Sequence, residues 1–420
     1  MRANFLIGFL LLSLASPARA DEVIQRLEAA ARSAPRDVAA QTALVEALVR
    51  AARYDEANQA VTRALRATPR SLELLLAKAR IVFARKDFKN AKAACRPLEQ
   101  IDARAVETRI CLAEGFIALQ RSARAFEEIE RIIAEHPERF EGHLAKADAL
   151  RLRMMEAEAE AEYRHAARLR PEDPRPHIGL ALLAEAAGKR AEALEALKRA
   201  RALGADWPEV RFAFGRLTDG EVAREHLRAA NRMRPNWVEA LEALGWAELE
   251  AGEHEEARRI FAQAVSLDGY TAGAHLGLGI ALVRLGRDAD AKTSLTRSLE
   301  LVPTSARAAL ELARIEARAG EVEVALELYR RAADQDRTDY AALLEAAALC
   351  IEHGRAVVAM AYLDRVLEMD DRYAPALMLY GDAKRLQRKT DEARQYYERA
   401  LSGTGPVDSA ALRARIASTR

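Results

Sequence analysis

The chain has 420 residues, of which 50% are hydrophobic, only 5% aromatic and 31% charged. This composition excludes a disordered or fibrous polymer, argues against a β-sandwich or barrel, and suits helices packed through aliphatic and small side chains with one wet face. With 65 basic residues against 64 acidic ones, no global field draws the chain to DNA, RNA or an anionic membrane, so nucleic acid is not an expected partner.

Residues 1–20 read as a secretory signal peptide. Arg2 supplies the positive start, Phe5 to Ala15 is an apolar run broken only by Gly8 and Ser13, and Ala18-Arg19-Ala20 forms a small-x-small cleavage site before Asp21. Cleavage after Ala20 makes the mature chain periplasmic or secreted; retention of the segment as an N-terminal anchor is the alternative. No later stretch reaches the roughly 20 apolar residues of a transmembrane helix, so no stable membrane insertion of the mature chain is expected. Residues 21–37 then predict a capping helix, amphipathic over 22–34.

From Val38 onward the sequence repeats. Alanine recurs every 34 residues at Ala57, Ala91, Ala125, Ala159 and Ala193 and, after one 30-residue step to Ala223, again at Ala257, Ala291, Ala325, Ala359 and Ala393. We number each repeat from its start at Val38, Leu72, Val106, Phe140, Pro174, Pro208, Val238, Ala272, Ala306, Tyr340 and Ala374; this alanine is then position 20. Position 8 is small in ten of the eleven (Gly245, Gly279 and Gly381 among them), and position 24 is apolar throughout, as in Cys95, Tyr163, Phe261 and Tyr397. Positions 4, 7, 8 and 11 form one helical stripe and 20, 24 and 27 a second, which predicts two antiparallel helices per repeat. Glycine at position 15 (Gly188, Gly252, Gly286, Gly320, Gly354) ends the first helix, and proline near position 32 ends the second. Asp206-Trp207-Pro208-Glu209 and Asn236-Trp237-Val238-Glu239 read as capping boxes.

This pattern resembles the tetratricopeptide repeat, most clearly in ALEALGWAELEAGEHEEARRIFAQAVSLD and AHLGLGIALVRLGRDADAKTSLTRSLELVP. The resemblance implies an all-α, right-handed superhelical solenoid of about eleven helix-turn-helix repeats over residues 38–407. Repeat six (208–237) is shortened, and a C-terminal capping helix follows over 408–420. It also implies an inner face lined by positions 2, 5, 9, 12 and 13 of the first helices. In repeats two to four those positions include Glu73, Glu107, Glu114, Glu141 and Asp148, so the N-terminal groove is expected to be acidic. In repeats eight and nine they include Ile280, Arg284, Arg307, Arg314 and Arg318, so the C-terminal groove is expected to be basic and to suit an acidic segment or chain terminus. The opposing possibility is a solvated face paired within itself, with Glu311 and Glu316 near enough in sequence to neutralise part of the patch.

All three tryptophans flank repeat six, and Trp246 takes inner-face position 9 of repeat seven. The rings either anchor a partner in a notch or fill the void left by the missing turn. Cys95 and Cys111 fall on helices expected to be adjacent, so they form a disulfide if their Cα atoms approach within about 7 Å, and otherwise remain free thiols. Catalytic motifs are missing from the sequence, and His143, His177 and His275, all at position 4, lie too far apart for a shared zinc. No enzyme, cofactor or metal site is therefore expected. Resemblance to exported relatives implies a non-enzymatic scaffold for outer-membrane, secretion or exopolysaccharide machinery that binds proteins or peptides in its groove, or alternatively a periplasmic chaperone or adaptor that captures segments transiently. The lysine and asparagine clamp with which some cytosolic relatives hold a terminal carboxylate is absent, since position 9 holds no asparagine. The oligomeric state is not readable from the sequence.

Overall fold

The computed structural model describes residues 17–419 except Ala52, Lys86 and Phe88. Most of the expected signal peptide, residues 1–16, lies outside the described residues. The first described helix, Pro17–Ser33, crosses the expected cleavage point at Ala20. It lays Val23, Ile24, Leu27 and Ala31 on Ala43, Leu44, Ala47 and Leu48 of the next helix, and Gln41 Nε2 donates to its Ala31 carbonyl at 2.6 Å.

Helix pairs then follow one another along the chain. First helices begin at Val38, Leu72, Val106, Phe140, Arg175, Pro208, Val238, Ala272, Ala306, Ala341 and Ala374, each within one residue of the repeat starts. Asp37, Ser71 and Ser305 cap three of them through their side chains. Asp206 does not cap its helix as expected: its carboxylate accepts from Arg211 Nε at 2.5 Å, and Trp207 holds the cap position without a side-chain bond. Second helices run mostly 12 to 14 residues, for example Glu156–Leu169 and His254–Leu267. Repeat two departs from this, its second helix being split into Ala91–Ala94 and Arg96–Asp102 around Cys95, with Pro97 at the start of the second piece.

The chain divides into two compact units, residues 1–240 and 241–420. In unit 1 the core is a series of small clusters, one per neighbouring pair of repeats. In unit 2 one cluster runs from Leu282 to Ala383. Both arrangements suit units that bury apolar surface only against the next one along. Unit 2 ends in helix Ser409–Ala417, capped by Asp408, with Leu412 buried on Leu377 and Tyr397.

One contact couples successive repeats: position 24 of one meets position 6 of the next. Tyr163 lies on Gly179 and Phe261 on Gly277. The Tyr329 hydroxyl donates to Glu345 at 3.2 Å. At the same place Cys95 and Cys111 are joined by a disulfide, with Cα atoms 5.8 Å apart and neither side chain exposed.

Candidate functional site

On the inner face of unit 1 the position 9 side chains of repeats one to three alternate in sign. Arg80 donates two hydrogen bonds to Glu114, at 2.6 and 2.9 Å, and lies 4.0 Å from Glu46. Glu107 stands 3.6 Å from Arg139. Glu141 is reached by Arg139 at 2.9 Å and Arg170 at 3.2 Å. Burial opposes ionisation of Glu141, but a backbone hydrogen bond and the Arg170, Arg139 and Arg175 guanidinia hold its carboxyl below the usual range. Asp148 accepts from the Tyr163 hydroxyl at 2.5 Å, and burial pushes its carboxyl up despite that bond. The acidic groove expected from Glu107, Glu114, Glu141 and Asp148 is therefore neutralised by arginines that sequence reading did not place opposite them.

Those arginines also border a cavity of about 500 Å³. Val45, Glu46, Val49 and Arg50 from repeat one meet Arg175, Ile178 and Trp207 from repeat five across it. The Arg50 guanidinium lies 5.7 Å from the Trp207 ring centre. Arg175 is held by two bonds to Asp173, at 2.9 and 2.7 Å. Sequence reading missed this site because its walls come from residues about 150 apart. The available signal was that Glu46 and Arg50 occupy inner-face positions 9 and 13 of repeat one.

In unit 2 the expected residues divide into two sets. Ile280 is buried, at 3% exposure, and serves as wall. Arg314 is committed to Glu345 at 2.6 Å and Glu311 at 2.8 Å, and Arg318 to Asp288 at 2.9 Å. Glu316 pairs with Lys292 at 2.7 Å and does not neutralise this patch. Arg284 and Arg307 are exposed and make no ion pair among the described residues. The Arg307 guanidinium stands 4.9 Å over the Trp246 ring, whose edge meets Phe261 at 5.3 Å between centroids. An aromatic face carrying a cation, beside a second unpaired cation, can receive a carboxylate together with an apolar side chain.

The tryptophans do not share one environment. Trp237 is buried, at 8% exposure, and packs on Phe212 at 4.6 Å, filling space beside the ten-residue helix Pro208–Leu217 of repeat six. Trp207 lines the unit 1 cavity, and Trp246 belongs to unit 2. His143 and His275 approach backbone carbonyls of Pro137 at 2.7 Å and Gly269 at 3.2 Å. Among the described residues no group of three or more potential ligands is placed to hold a metal ion. Nor is any helix long and apolar enough to cross a membrane.

The family model of the tetratricopeptide repeat matches residues 42–105, 213–273, 276–340 and 344–409, more than half of the chain. No curated protein matches it in sequence. Yeast Tom70 is similar at 15% identity, over 96% of this chain and 92% of that one, with a TM-score of 0.39. The MamA protein is 21% identical over 39% and 90%, with a TM-score of 0.37. PilF of Pseudomonas aeruginosa is 18% identical over 56% and 94%, with a TM-score of 0.36.

Proposed function

Because the chain belongs to the tetratricopeptide-repeat family, we propose that it is a non-enzymatic protein-binding scaffold of the cell envelope. It holds partner proteins or peptides against the inner faces of its first helices. The observation that carries this reading is the exposed Arg307 stacked on Trp246, with Arg284 free of carboxylates on the neighbouring repeat. Arg314 and Arg318 are neutralised at home, so selectivity for an acidic or carboxylate-bearing segment falls to Arg284 and Arg307.

Export is supported by the signal-like composition of residues 1–20 and by the Cys95–Cys111 disulfide, since such bonds persist in oxidising compartments. Outer-membrane, secretion or exopolysaccharide assembly is the proposed setting.

Crosslinking in cells through a photoreactive group beside Trp246 tests the reading. We expect a small set of envelope proteins in stable stoichiometric complexes. Trp246→Ala is expected to weaken their capture by tenfold or more at an unchanged melting temperature, because a desolvated aromatic anchor is worth about 2 kcal/mol. Crosslinks to no envelope protein would overturn the scaffold. Suppression of aggregation for many unrelated clients, without stable complexes, would replace it with a chaperone.

A further inference from the structure

The cavity of unit 1 is large enough for a short peptide segment, and its charges are matched with one exception. Arg80 has Glu114, and Arg175 has Asp173. The Arg50 side chain is about three-quarters covered, and the carboxylate it reaches, Glu46, stands 3.8 Å away, too far for a hydrogen bond. Burial lowers the proton affinity of all three guanidinia. Glu114 and Asp173 more than offset this at Arg80 and Arg175, whereas Arg50 stays below its ordinary value. A cation drawn out of water without a matched partner is costly, and a ligand carboxylate supplies the missing partner in a two-bond geometry. Val49 and Ile178 give the same cavity an apolar wall. A polyanion would meet Glu46 and Glu141 on entry, so a single carboxylate fits where a nucleic acid does not.

We propose that this cavity binds a partner polypeptide segment in which an aspartate or glutamate neighbours a valine, isoleucine or leucine, the carboxylate pairing with Arg50 and the apolar side chain lying on Val49 and Ile178. The inference rests on the protein-binding reading above but uses residues separate from Trp246.

A random heptapeptide phage library panned on the full mature chain, and in parallel on Arg50→Met, tests it. Sequences enriched on the wild type but not on the variant are expected to carry an acidic residue beside an aliphatic one. A synthetic representative should lose at least tenfold in affinity when its carboxylate is changed to the amide, and as much on Arg50→Met. The melting temperature of Arg50→Met should hold or rise, because a cation without a partner has no pairing to lose, while a structural arginine would lower it.

Three results overturn the site: no Arg50-dependent enrichment, equal binding of acid and amide peptides, or a melting temperature several degrees lower in Arg50→Met. Arg50-dependent binding of free succinate without any peptide enrichment also overturns it, assigning the cavity to a small anion. Envelope partners crosslinked at Trp246 alongside any of these outcomes would leave the scaffold standing and remove only this site.

Discussion

At the scale of single residues, the contact between position 24 and the next repeat's position 6 sets how closely the repeats approach. Phe261 is pressed between Gly245, where an added Cβ would sit 2.7 Å from the ring, and Gly277, where it would sit closer still. The ring belongs to a rigid, fully buried side chain and cannot swing aside. Gly277→Ala should therefore destabilise unit 2 by about 1–3 kcal/mol, the usual cost of overpacking, outweighing alanine's better helix propensity of about 1 kcal/mol. Adding Phe261→Leu should recover part of the loss, and urea unfolding of the two single variants and the double variant measures the coupling. Additive losses would mean that the ring is not the obstacle. The small residue at position 8 was legible because it recurs within each repeat. The role of position 6 was not, because glycine, cysteine and glutamate all fill it and only packing against the neighbour reveals what they share.

At the scale of the helix pair, the turn between helices requires a left-handed residue at position 15. Glycine supplies it at Gly188, Gly252, Gly286, Gly320 and Gly354, with φ between +71° and +82°. Repeats three, four and eleven place Gln120, Met154 and Arg388 in the same conformation, at φ +56°, +58° and +62°. A side chain there costs about 1–2 kcal/mol, and Met154, 82% exposed, has little packing to offset it. Met154→Gly should raise stability by about 1 kcal/mol, seen as a higher melting temperature; a lower one would show that the methionine makes contacts worth more than the strain. The turn itself could be read from the glycines alone. The break in the second helix of repeat two was not inferred although Pro97 signalled it, because periodicity places alanine and cysteine at positions 20 and 24 whether or not the helix is continuous. The shortening of repeat six was located correctly, but which ring fills the space and which faces a cavity depended on packing. Trp237 does the first and Trp207 the second.

At the scale of the molecule, the repeat told which side chains belong to an inner face but not which ones oppose each other. That depends on rotation accumulated over several repeats, and it brings Arg50 to Trp207 and sets arginines against Glu114 and Glu141. The same linear construction fixes how a local injury should spread. Stability in stacked repeats is nearly a sum of each repeat's own term and its interfaces with its neighbours. The disulfide closes a loop of sequence separation 16 between repeats two and three, a cross-link worth about 3 kcal/mol. It also stands where other repeats use a ring on glycine, and the helix beside it is already broken. Cys95→Ala with Cys111→Ala should therefore loosen repeats two and three most, their immediate neighbours less, and leave residues 241–420 unchanged. Hydrogen exchange followed peptide by peptide, in the wild type and the double variant, measures this profile. Equal acceleration along the entire chain would instead mean that both units open as one cooperative block, and the nearest-neighbour account of this solenoid would fail.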